Sequence, residues 1–84
     1  MTDEEFDVMD ELYFVQPFDY LTEELSMSDE EIKPVLKSLL NHGWIKCLHN
    51  MNDEVFNEHL NFDDEFRNYF YLASKAGLLA HNGR

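Results

Sequence analysis

Lys33, Lys37 and Asn41 recur at intervals of four residues, with Ser38 beside them, in the stretch "SDEEIKPVLKSLLNHGWIK" (residues 28–46). On a helix that spacing sets them along one outward face. Lysine ammonium groups contact phosphates, while asparagine and serine side chains reach base edges or backbone oxygens. The chemistry open to these four residues is therefore recognition of a nucleic acid. The plainer reading makes both lysines solvated surface cations that offset Glu30 and Glu31 at short helical spacing.

The other reactive residue types point to no second chemistry. The histidines, His42, His49, His59 and His81, lack metal-ligand spacing, and a single cysteine cannot build a structural zinc site. The stretch "NDEVFNEHLNFDDE" is acidic, but it lacks the alternating oxygen ligands and central glycine of an EF-hand loop. The three glycines are too scattered to cradle a phosphate. The chain's net charge of −12 opposes a thiolate at Cys47, which reads as a small buried hydrophobe. No two carboxylates pair within an expected pocket. No catalytic residue, metal or cofactor is expected, and the chain reads as a non-enzyme.

These side chains are positioned by a mostly helical pattern. Thr2 and Glu5 stand in capping-box spacing, and Phe6, Val8, Met9, Leu12, Tyr13 and Val15 follow at helical intervals, predicting a helix over about 3–16. Pro17 disfavours a helical residue before it and suits the first turn of a second helix, over about 17–25, with Phe18, Leu21 and Leu25 in its apolar stripe. Ser28 and Glu31 form a second capping box for a helix over about 29–42 that buries Ile32, Val35, Leu36, Leu39 and Leu40. Gly43 suits the left-handed position after its end. Pro34 is discordant there: either the helix starts later, or its first turn is bent.

"WIKCLH" alternates as a strand over about 44–49, with Ile45 and Cys47 on one side. "YFYLAS" supplies a matching strand over about 69–73, with Phe70 and Leu72 as its inward pair. The acidic connection between them, residues 50–68, is long for a hairpin loop, and Val55, Phe56 and Leu60 are spaced for one helical turn within it. Ser74 caps a short C-terminal helical turn.

Composition bounds the rest. Eighty-four residues make one domain, and 44% hydrophobic with 14% aromatic content is enough to fold despite eighteen acidic against six basic residues. No apolar run is long enough to span a membrane, the acidic start "MTDEEFD" lacks a secretory signal, and the lone cysteine fits a reducing compartment. A cytoplasmic protein with no membrane partner is expected.

The order helix, helix, helix, strand, long loop, strand resembles the winged helix-turn-helix superfamily. "MSDEEIKPVLKSLLNHGWIKC" resembles its third helix running through a Gly-aromatic junction into the wing, and "YFYLASKAGLLAH" resembles the last strand of small bacterial winged-helix regulators. The fold implied is α+β and mostly helical: a three-helix bundle with a two-stranded antiparallel wing. A three-helix bundle with an accessory hairpin shares the pattern. The function implied by the resemblance is DNA binding through the third helix, with the loop as wing.

The charge distribution argues against that function. Residues 1–31 carry twelve acids and no base, residues 32–50 carry Lys33, Lys37 and Lys46 with no acid, residues 51–66 carry six acids and no base, and residues 67–84 carry Arg67, Lys75 and Arg84 with no acid. An acidic wing set against phosphates repels the duplex, and the net charge of −12 slows encounter. The aromatic residues offer another use. Tyr13, Phe14, Trp44, Tyr69 and Tyr71 are expected either to form an exposed patch for a protein partner or a second copy, or to complete a core with Phe56, Phe62 and Phe66. The expected function is an acidic winged-helix interaction module or accessory regulator. The alternative is a DNA-binding transcriptional regulator using Lys33, Lys37, Ser38 and Asn41.

Overall fold

Both predicted capping boxes start helices in the computed structural model, which describes residues 1–83; Arg84, counted above among the cations, lies outside them. In α1 (Asp3–Asp10) the Thr2 hydroxyl accepts from the Glu5 N–H, and the Glu5 carboxylate accepts from the Thr2 N–H. Ser28 and Glu31 repeat the arrangement at the start of α3 (Asp29–Asn41). Each box satisfies two of the amide donors that a helix start leaves without intrahelical partners.

The first helix is shorter than its periodicity predicts. Helix α1 stops at Asp10, and Leu12 reaches the core from the turn beyond it. The reason is tertiary. The Leu12 carbonyl accepts from the Ala73 N–H at 2.9 Å, and Gln16–Pro17 form a strand, β1, against Tyr71 and Phe70. Pro17 therefore sits in an edge strand, where its missing N–H is tolerated, and serves as the N-cap of α2 (Phe18–Leu25) rather than its first residue.

Helix α2 ends at Ser26, whose left-handed conformation (φ 53°) lets Met27 donate back to the Thr22 carbonyl. Helix α3 begins where its capping box places it, so Pro34 lies in its second turn rather than delaying the start. There Pro34 forgoes the bond to the Glu30 carbonyl, at an exposed position where water reaches the helix. At the far end, Gly43 (φ 73°) follows the His42 cap, with Gly43 N–H donating to Leu40 and Trp44 N–H to Leu39. This is the Schellman pattern expected of a glycine after a helix.

The expected hairpin is part of a four-stranded antiparallel sheet. Strands β2 (Ile45–Leu48), β3 (Glu54–Val55) and β4 (Phe70–Ala73) join β1 in the order β1-β4-β2-β3. The register sets Cys47 opposite both Tyr71 and Val55. Directly paired residues share a face of the sheet, so Tyr71 points into the core beside Cys47. Tyr71 is fully buried and Tyr69 nearly so, while Phe70 and Leu72 are half-buried. The inward pair is thus the reverse of the expected one, a difference of one residue in the period of two.

Two tyrosine hydroxyls make this burial tenable, because both are hydrogen-bonded. Tyr71 donates to the Phe66 carbonyl at 2.7 Å, and Tyr69 accepts from the Asn61 N–H at 3.0 Å. These bonds anchor the connection between β3 and β4. That connection holds a 3-10 turn (Asn57–His59) and a short helix, α4 (Phe62–Glu65), rather than a turn spanning Val55 to Leu60. Phe62 and Phe66 enter the core, where Phe66 meets Phe18 edge-on; Phe56 remains outside it.

Helix α5 (Lys75–Asn82) closes the chain against α1, with the Ser74 hydroxyl accepting from the Gly77 N–H. A Cβ at Gly77 would overlap the Trp44 carbonyl oxygen, so the absence of a side chain there permits α5 to approach the backbone that leads into β2. No helix among the described residues is long and apolar enough to cross a membrane.

Candidate interaction surface

The lysines of α3 do not stand free on its outer face. Lys37 Nζ lies 3.0 Å from Asp63 Oδ1, and Lys33 Nζ lies 3.7 Å from the same oxygen. Asp63 is held there by α4, which follows the 3-10 turn across the end of the acidic connection. Hydrogen bonding and charge attraction from Lys37 keep the Asp63 carboxyl below its ordinary pKa. Beside it, Lys33 Nζ and Arg67 Cζ lie 4.8 Å and 4.4 Å from the centroid of the Phe66 ring. Arg67 Nε donates to Asp29 Oδ2 at 2.7 Å, joining the start of α3 to a residue two positions past α4.

The predicted nucleic-acid residues therefore diverge. Lys33 and Lys37 meet Asp63. Ser38 turns to α1 and donates to Glu5 Oε2 at 2.9 Å. Asn41 is exposed beside a cleft at the end of α3. Lys46 completes the pairing, 3.3 Å from Glu54 Oε1 across β2 and β3. Among the described lysines and arginines, only Lys75 has no carboxylate partner.

Glu5 is the acid most enclosed by the fold. It is buried, which by itself raises a carboxyl pKa. Hydrogen bonds from the Thr2 N–H and from Ser38 and Thr2 hydroxyls outweigh burial and hold it below its ordinary value. The capping box announced the first of these bonds, but nothing local announced Ser38, thirty-three residues away.

Most of the remaining carboxylates face water. Glu4 and Asp7 on α1, Asp19, Glu23 and Glu24 on α2, and Asp53, Glu58, Asp64 and Glu65 on the connection are all exposed. The surface available to a partner is therefore anionic, because all the described lysines and arginines except Lys75 are already engaged.

The expected aromatic patch does not assemble. Tyr69 and Tyr71 are in the core, and Trp44 is half-buried, stacked on His42 at 4.2 Å. Tyr13 and Phe14 stay exposed at the exit of α1, 43% and 78% accessible. Tyr13 is tied to α5: its hydroxyl lies 2.8 Å from His81 Nδ1 and donates to Asn82 Oδ1. His81 was unremarkable in sequence, yet it is buried, with Nε2 2.7 Å from Asp10 Oδ1 and its ring stacked on Phe6.

Cys47 is enclosed as its place in an alternating strand predicts, and burial pushes its thiol up to about 12. Burial likewise raises the Tyr71 phenol. Among the described residues no three histidine, cysteine or carboxylate side chains converge as a metal would need. Compared with known proteins, the chain matches no protein family, no curated protein and no solved structure.

Proposed function

We propose that this chain is a winged-helix-type protein-interaction module that binds a basic partner protein. The observation that carries the reading is the state of its cations. Lys33, Lys37, Lys46 and Arg67 are all ion-paired within the fold, whereas most carboxylates of α1, α2 and the acidic connection are exposed. A partner meets an anionic surface, and charge complementarity selects and steers a cationic one.

Support for the winged-helix part comes from the element order α1, β1, α2, α3, β2, β4, with β4 between β1 and β2 in the sheet and the acidic connection in the place of a wing. The regulator alternative, in which Lys33, Lys37, Ser38 and Asn41 read DNA, has less support. Asp63 occupies both lysines, and Ser38 is committed to Glu5. Phosphate affinity depends on free cations that displace counterions, and this face presents few.

A peptide-display selection run beside a labelled pool of DNA duplexes tests the reading. Enrichment of lysine- and arginine-bearing peptides, with no duplex binding at low salt, is the expected result. Enrichment without charge preference, or saturable duplex binding, would overturn it.

A further inference from the structure

One cleft on this anionic molecule combines apolar with polar lining in about equal measure. It lies between the C-terminal end of α3 and the strands β2 and β3, with a volume of about 470 Å³. That is within the ~300–1,000 Å³ span of clefts that enclose a ligand. Leu40, Ile45, Val55 and Leu60 line it, and Phe56 stands at its side with 61% of its surface accessible. The position follows from the sheet: β3 is an edge strand only two residues long, so no further strand covers the segment that leaves it. Exposing a phenylalanine ring costs hydrophobic free energy that the core would otherwise recover. Here it borders a cleft to which Leu40, Ile45, Val55 and Leu60 contribute apolar surface.

The charges around the cleft narrow the choice of occupant. The one cation lining it, Lys46, is paired with Glu54. The same connection carries Asp53 and Glu58, both exposed, and it contains no lysine or arginine between Lys46 and Arg67. Asp53 and Glu58 adjoin the lining residues Glu54 and Asn57 in sequence, so a segment with exposed carboxylates runs beside the cleft. We propose that this cleft docks a basic peptide segment of a partner, with one aromatic or large aliphatic side chain seated against Phe56 and lysine or arginine residues on either side meeting the acidic rim. The inference rests on the basic-partner reading above and assigns that partner a place. A second copy of this chain fits poorly, because it brings a net charge of −12 and its own cations are mostly engaged. Buried apolar anchors surrounded by polar contacts are how many interfaces concentrate their affinity.

The test is an amide NMR titration of the full chain with two synthetic decapeptides. Both carry lysines and arginines on each side of a central residue, which is phenylalanine in one and serine in the other. The expected result is that the phenylalanine peptide shifts the amides of Asn41, Gly43, Lys46, Val55 and Asn57, and that the serine peptide binds about tenfold or more weakly, as loss of an anchor residue predicts. Binding should weaken towards ~1 M salt, where screening acts within ~3 Å. Asn57→Lys, at an exposed rim position, should also weaken it, with the fold checked by the unperturbed amides of α1.

Equal binding of the two peptides, with shifts confined to α1 and α2, would overturn the cleft assignment and leave the basic-partner reading standing. Salt-independent binding equal to that of a peptide lacking the basic flanks would overturn the choice of a basic segment. Movement of the same amides with protein concentration alone would make a second copy the occupant and overturn it too. No binding of either peptide at low salt would remove the basic-partner reading and this inference with it.

Discussion

Asp10, the last residue of α1, and His81, near the end of α5, meet at 2.7 Å between Oδ1 and Nε2. They lie seventy-one residues apart in sequence, and their contact joins the first helix to the last. The other ring nitrogen of His81 faces the Tyr13 hydroxyl at 2.8 Å, and Phe6 stacks on the ring at 4.1 Å. An imidazole engaged at both nitrogens and on one face is fixed in orientation. His81→Leu should therefore lower stability by ~1–3 kcal/mol, the net worth of two hydrogen bonds whose other partners stay in reach of water. Asp10→Ala should cost less, because about half of the Asp10 side chain is exposed to water. Urea denaturation of the two variants measures both effects.

Acid should destabilise the fold through Glu5, Glu31 and Asp63. All three have pKa values lowered in the folded protein, Glu5 against the effect of its own burial, Glu31 through the Ser28 N–H, and Asp63 through Lys37. A lowered folded pKa contributes stability above the unfolded value, lost as pH falls through the folded one. The ordinary values are 4.5 for the two glutamates and 3.8 for the aspartate, so the loss begins near the upper figure and continues below the lower. Thermal melts at high salt, which screens the general repulsion among acids, should show Tm falling through this range. Glu5→Gln should flatten the upper part of that fall.

Cys47 should be inert in the folded protein. Its thiol is buried in β2 with its pKa pushed up to about 12, so at pH 8 almost none is thiolate, the reactive form. A thiol-reactive chromophore should label the native chain no faster than it unfolds and should label the denatured chain at once. Fast native labelling would mean that β2 opens locally.

Asp63→Asn should release the two α3 lysines. The carboxylate now shared by Lys33 and Lys37 would become a neutral amide, removing the charge partner of both and leaving Lys33 only its bond to the residue 63 carbonyl. Fluorescence anisotropy with a labelled duplex at low salt should show weak, salt-sensitive binding by the variant and none by the native chain. Equal binding by both proteins would mean that Asp63 does not withhold these lysines, and the DNA-reading alternative would gain ground.

What the sequence determined by itself was local. Thr2 with Glu5, Ser28 with Glu31, Ser74, and Gly43 each act on backbone groups within a few residues of themselves, so their patterns mark helix ends without knowledge of the fold. The apolar face of α3 was legible for the same reason, as was the segregation of acids from bases. The tertiary structure decided the end of α1, because Gln16 and Pro17 were drawn into pairing with a strand more than fifty residues away. It also decided which face of β4 turns inward. The aromatic run 69–71 satisfies either phase of a two-residue period, and only pairing with Cys47 selects Tyr71. The candidate surface was half legible: the excess of acid was plain, but the removal of Lys33 and Lys37 from it depended on where α4 places Asp63. Side-chain charge is a property of a residue, whereas its availability depends on what the folded chain brings beside it.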